Sequence, residues 1–115
     1  MRLSSVSIAA FIAVLGLGSV ARADDAAVER MFKSKCAACH GNDGKGKTKQ
    51  GEKMKIGDMT AAAFKKEASP DKIRKTILDG VDRQKEGVKQ EMKPLRGKIT
   101  DEQVEELVAY VRGLK

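Results

Sequence analysis

Cys36-Ala37-Ala38-Cys39-His40 gathers both cysteines of the chain and its one histidine into five consecutive positions. The spacing Cys-x-x-Cys-His is the attachment signal for a c-type haem. Two cysteines three residues apart share one helix face, so both sulfurs can reach the two vinyl groups of a porphyrin. The residue that follows then points its imidazole at the iron as proximal ligand. One such motif implies one haem c, bound through Cys36 and Cys39, with its iron held by His40.

Other chemistries that use this spacing fit less well. A thioredoxin-like Cys-x-x-Cys sits in a βαβ unit, and no run in this chain reads as an alternating or continuous buried strand. A structural zinc site takes four protein ligands, and no fourth soft ligand remains after Cys36, Cys39 and His40. A disulfide between Cys36 and Cys39 closes too short a loop to stabilise a fold much.

The N-terminus reads as a secretory leader. Arg2 gives a positive start, Val6 to Leu17 form a nearly continuous apolar run, and Ala21-Arg22-Ala23 is a small-x-small cleavage site. The apolar run is shorter than the roughly 20 residues needed to span a bilayer, although retention as an anchor is the alternative. The expected division is therefore a leader over 1–23 and one domain over 24–115, 92 residues long. That domain keeps Phe32, Phe64 and Tyr110 as its aromatics, with no tryptophan. So small a domain buries only a modest share of its surface. A haem would supply a large apolar body to its centre, and without it the chain is expected to be largely unfolded.

The remaining pattern is helical. Asp24 and Asp25 place negative charge at the start of a first helix, on which Val28, Phe32 and Cys36 form one stripe at i, i+4, i+8. The stretch Gly41 to Gly57, dense in glycine and lysine, reads as an exposed loop. A short helix is predicted over Thr60 to Lys66. Ser69-Pro70 starts another, with Ile73 and Ile77 on its apolar face and Gly80 as its stop. Val81 to Lys98 is polar and interrupted by Gly87, Pro94 and Gly97, which predicts loop. Thr100 to Gln103 is a capping box opening a last helix with Val104, Leu107, Val108 and Val111 buried. Gly41-Asn42-Asp43-Gly44-Lys45-Gly46-Lys47-Thr48 also satisfies the P-loop pattern. That pattern needs a strand before it and a helix after it, and here a haem-motif helix precedes and polar loop is expected to follow. No nucleotide binding is expected.

With these residues in view, the chain resembles the class I c-type cytochromes, small single-haem electron carriers, over essentially all of 24–115. In that family an aromatic lies four residues before the first cysteine, matching Phe32, and the last helix crosses the first through a segment like Leu107-Val108-Ala109-Tyr110-Val111. The resemblance implies an all-α fold of about four helices wrapped around one covalent haem. It also implies a methionine as second iron ligand in the loop before the last helix, where Met92-Lys93-Pro94 stands. Met31 precedes the motif, on the proximal side, and Met54 and Met59 follow closely on His40. Met92 lies 52 residues beyond His40, on a segment long enough to reach the opposite face of a haem. Buried methionine more often fills gaps than ligates, so position is what singles out Met92.

Three departures from the family pattern stand out. Val28 replaces the glycine usual eight residues before the first cysteine, so the helix crossing is expected to be wider or shifted. The family's proline in the loop after the motif is missing, the prolines standing only at Pro70 and Pro94, so some carbonyl in Met54 to Gly57 is expected to orient His40. No tryptophan is present for the haem propionates.

The whole chain carries 23 Lys or Arg and 16 Asp or Glu, and loss of Arg2 and Arg22 with the leader lowers its formal charge from +7 to +5. Lys45, Lys47, Lys89 and Lys93 are expected to border a haem edge and steer acidic redox partner proteins, the alternative being a merely solvated surface. Peripheral membrane partners are compatible with export. No aromatics interleave the lysines to stack bases, so no nucleic-acid binding is expected. The expected role is a periplasmic electron carrier and no enzyme, its iron cycling between Fe(II) and Fe(III) under His40/Met92 ligation. The alternatives are a haem subunit of a larger redox enzyme and a five-coordinate ligand-binding haem protein.

Overall fold

Phe32 has no exposed surface, and the helices are arranged around it. The computed structural model describes residues 21–115, with side chains from Asp25 onward. The expected leader lies outside the described residues except for its last three positions, which fall in the first helix. α1 spans Ala21–Lys35 and buries Val28 and Phe32, two of the stripe positions. α6, Asp101–Arg112, answers with Val104, Leu107, Val108 and Val111. The Phe32 and Tyr110 rings meet at a centroid distance of 5.0 Å, a favourable tilted pair. Val28 is accommodated inside this packing at 5 % exposure. Among the described residues no helix is long and apolar enough to cross a membrane.

Four further helical segments lie between. α2 is the single turn Ala37–His40, α3 the turn Lys49–Lys53, α4 spans Ala62–Glu67 and α5 spans Pro70–Asp79. With α2 and α3 only one turn each, the four larger helices match the expected number. α5 starts where Ser69-Pro70 placed it, the Ser69 hydroxyl accepting from Lys72 N–H, and it buries Ile73 and Ile77. The capping box of α6 is formed in both directions, Gln103 N–H to Thr100 Oγ1 and Thr100 N–H to Gln103 Oε1. Arg74 clamps α5 to α6 by gripping Glu105 while also reaching Asp71. Arg112 donates to the Lys65 and Ala68 carbonyls at the end of α4.

Two expectations change. Val81 to Lys98 is not all loop: β1, Val81–Lys85, and β2, Val88–Met92, form an antiparallel hairpin. Glu86 and Gly87 both have positive φ, 51° and 79°, as a two-residue turn of the I′ kind requires. The strands escaped notice because β1 is exposed for all but Val81, and the inward row of β2 reads Val88, Gln90, Met92 with a polar residue in its middle. Asp82 faces Glu91 across the ladder, and Lys89 sits against both acids, offsetting a like-charge pair.

Gly41 to Gly57 is likewise no simple exposed loop, since Gly44, Gly46 and Gly51 are buried and α3 lies within it. Its backbone is consumed by the haem motif. Gly46 N–H donates to the His40 carbonyl (2.8 Å). The Thr48 hydroxyl donates to the Cys39 carbonyl (2.6 Å) while accepting from Gly51 N–H. A helical turn does follow the P-loop-like stretch, but among the described residues no strand precedes it, and its Gly44, Lys45 and Gly46 amides are already bonded within the chain.

Gly51 lies so close to the motif that a β-carbon there would stand 2.6 Å from the Cys39 carbonyl oxygen and nearer still to that of Gly46. Alanine in a helix gains about 1 kcal/mol over glycine by propensity. Overpacking against fixed backbone outweighs that gain, at about 1–3 kcal/mol or more. Gly51→Ala is therefore expected to lower stability, measured as the urea midpoint of the holoprotein. A midpoint raised by the helix-propensity gain would show that the contact is slack.

Candidate functional site

Cys36 is the joint between α1 and α2. Its N–H still donates to the Phe32 carbonyl (2.8 Å), and its own carbonyl accepts from Cys39 (3.2 Å) and His40 (2.9 Å). Its φ and ψ, −120° and −34°, are off the helix. The attachment motif is thus a separate turn hinged on α1 rather than a smooth continuation of it. Both thiols are unpaired and half-buried. Burial, with a smaller push from Cys39 against the pull of Lys35, raises the Cys36 thiol to about 11. A thiol so raised stays protonated at neutral pH. Thiol-redox sites need the opposite shift, which weighs against a thioredoxin-like role.

His40 is held below its ordinary imidazole value by burial, so its ring is neutral at pH 7, the form that ligates metal. Its Nδ1 is buried and has no hydrogen-bond partner, unlike every other such side-chain nitrogen or oxygen among the described residues. The expected carbonyl from Met54 to Gly57 does not reach it. Two carbonyls of that segment are taken by the Gln90 side chain, whose Nε2 donates to Met54 O at 2.8 Å and to Lys55 O at 3.4 Å.

The four methionines have separated fates. Met59 is buried in the core, Met31 is packed against it, and Met54 lines an open groove between α3 and β2 with Val88. Met92 is half-buried against the core at the end of β2. The loop after it is fastened to the end of α5. Leu95 N–H donates to Ile77 O (3.0 Å) and Arg96 N–H to Leu78 O (3.1 Å), and the Arg96 guanidinium grips Asp79. Gly80, at φ 72° and ψ −169°, lets the Met92–Pro94 backbone lie directly against it. A β-carbon there would be 2.9 Å from Pro94 N and closer to Met92 O.

These donors suit a haem. Among the described residues no three His, Cys, Asp or Glu side chains converge as an all-protein metal site. A porphyrin brings its own four nitrogens and asks the protein only for axial ligands and anchoring thiols. A neutral imidazole with two unpaired thiols in the same turn supplies one axial ligand and both anchors of such a set.

A family model described as cytochrome c matches residues 26–115. The chain belongs to the cytochrome c family. Among solved structures it is similar to the KustC0563 c-type cytochrome, at 31 % identity and a TM-score of 0.62, over 76 % of this chain and 95 % of that one. A mutant of that cytochrome matches with the same identity and TM-score over 98 % of its length. No curated protein matches the chain. Members of the family bind covalent haem c with its iron, and Cys36 and Cys39 fit the attachment motif. The chain is accordingly a haem electron-transfer protein.

The residue that sequence reasoning missed is Gln90, the one buried polar side chain among the described residues, at 6 % exposure. The available signal was the period-two row Val88, Gln90, Met92 after a Glu-Gly turn.

Gly80 and Gly87 both have positive φ, but only Gly80 has backbone within reach of an added β-carbon. Alanine at either position incurs backbone strain of about 1–3 kcal/mol. Gly80→Ala is expected to lower the unfolding midpoint clearly more than Gly87→Ala, because the Met92–Pro94 backbone must also move. Equal losses in chemical denaturation would mean that Gly80 does not brace that loop.

Proposed function

We propose that this cytochrome is a periplasmic electron carrier with a single haem, ligated by His40 and Met92, that performs no bond chemistry of its own. Bound there, the haem supplies a one-electron Fe(II)/Fe(III) couple. The chain supplies rigidity. The observation that carries the reading is the fastening of the Met92 loop to α5 through Gly80, Leu95 and Arg96. A ligand held the same way in both oxidation states leaves little to rearrange when an electron moves. A vacant sixth position, as in a gas sensor or peroxidase, would have no use for a clamped thioether.

Met92→Ala is expected to open the iron to carbon monoxide in the ferrous state and to lower the reduction potential, because neutral thioether sulfur favours the reduced ion. It should also abolish the weak far-red band of methionine-ligated ferric haem, while Met54→Ala and Met59→Ala leave that band in place. The opposite pattern among the three variants would move the ligand elsewhere. His40→Ala is expected to abolish the native haem spectrum altogether.

The partner is proposed to be a redox protein with an acidic face. Lys45, Lys47 and Lys93 are exposed and pair with no carboxylate among the described residues. Lys89, by contrast, is occupied by Asp82 and Glu91, which removes it from the steering set first expected. Electron exchange with an acidic partner is expected to slow steeply as salt rises, since attraction is screened beyond a Debye length of about 8 Å at physiological ionic strength. Reversing Lys45, Lys47 or Lys93 to Glu should slow association more than reversing Lys115. Equal stopped-flow rates for the two sets would leave net charge as the whole effect.

A further inference from the structure

Burying an amide side chain in so small a core is expensive unless each polar atom is bonded, and Gln90 is bonded at both ends. Its Oε1 accepts from Arg83 Nε (2.8 Å), on the residue directly opposite it in the ladder. That donor fixes which end of the amide is oxygen and turns Nε2 toward the Met54 and Lys55 carbonyls. Gln90 and Met92 sit on the same face of β2, two residues apart. The partners on the other side belong to the segment leaving α3, and α3 is sealed onto Cys39 and His40 through Thr48, Gly46 and Gly51. A second tie, Lys55 Nζ to the Glu86 carbonyl (3.1 Å), joins the same segment to the hairpin turn.

We propose that Gln90 is a positioning residue for the second iron ligand: it fastens the strand ending in Met92 to the segment that follows the attachment motif. The inference rests on Met92 being that ligand. Contacts then run without interruption from His40 through α3, the Met54 carbonyl and Gln90 to Met92. The distance between the two ligands is thereby set by the protein and not by the iron alone. The loop beyond Met92 is fastened separately to α5, so the backbone that carries the thioether is held from both chain directions. Removing Gln90 frees one of them and takes the side-chain donor from the part-buried Met54 and Lys55 carbonyls.

The test measures how readily added imidazole displaces the methionine from the ferric holoprotein, read from the far-red band. Gln90→Leu keeps the apolar bulk and removes both bonds. Its imidazole midpoint is expected to fall about tenfold, the scale set by stranding a buried hydrogen-bonding group, with a lowered reduction potential. Arg83→Met leaves Gln90 in place but removes the donor that orients it, and should shift the midpoint in the same direction by less. It decides the question if Gln90→Leu fails to fold. Arg74→Ala, which breaks the α5–α6 clamp, should lower the urea midpoint and leave the imidazole midpoint alone. Gln90→Leu or Arg83→Met that behaves like Arg74→Ala, less stable but with an unmoved imidazole midpoint and potential, overturns the proposal and leaves Met92 as ligand. A far-red band that is missing from the unaltered protein, or that survives Met92→Ala, overturns the ligand reading itself.

Discussion

Everything in this molecule hangs on how the turn Cys36 to His40 is closed at its C-terminal end. A single helical turn leaves its last carbonyls without intrahelical donors, and a one-turn helix has no cooperativity with which to hold its shape. The chain answers by folding the next seventeen residues back over it. Gly46 N–H takes the His40 carbonyl, the Thr48 hydroxyl takes that of Cys39, and Gly51 is pressed against both neighbours. Thr48 performs two tasks with one oxygen, since it also caps α3. Were these contacts absent, the motif would fray from its hinge at Cys36, and thiols and imidazole would lose their common orientation.

The two sides of the site are built on different principles. The attachment side is held by backbone at close range, which is why glycine and threonine dominate there. The Met92 side is held by a hairpin and by the end of α5, through one buried amide, one arginine–carboxylate grip and one glycine in a conformation closed to other residues. The apolar core, where α1 and α6 meet around Phe32 with Ile73 and Ile77 of α5 joining it, touches both sides, since Cys36 and Met92 pack against it. Surface ion pairs such as Lys33–Glu29 contribute little, as exposed pairs do.

What could be read in advance follows the strength of the local signal. The attachment motif, the Ser69-Pro70 start of α5, the capping box at Thr100 and the buried faces of α5 and α6 all rest on residues whose chemistry dictates their place within one or two turns. The hairpin did not announce itself, because its pairing is driven by the Glu86-Gly87 turn and by tertiary contacts of Gln90 rather than by alternating apolar residues. The fold of Gly41 to Gly57 was hidden for a related reason. Its glycines look like signs of a loop, yet Gly46 and Gly51 are there to bring backbone against backbone, and composition does not distinguish the two uses. The orientation of His40 was expected from a carbonyl in Met54 to Gly57, and two carbonyls of that segment are bonded instead by Gln90, whose place 36 residues beyond Met54 no local pattern reveals.

The placement of Phe32 ties the attachment helix to the far end of the chain. Its burial needs α6, the last helix of the chain, so the principal core contacts span nearly the full sequence and close late. A chain emerging N-terminus first therefore presents Cys36, Cys39 and His40 long before Val104 to Val111 exist to cover the helix that carries them. Once α6 docks, Val104, Leu107, Val108 and Val111 are buried with Phe32, and Lys65 Nζ ties the chain end through the Leu114 carbonyl. The surroundings of the attachment turn, whose Cys36 packs against this core, therefore depend on contacts between the two ends of the domain.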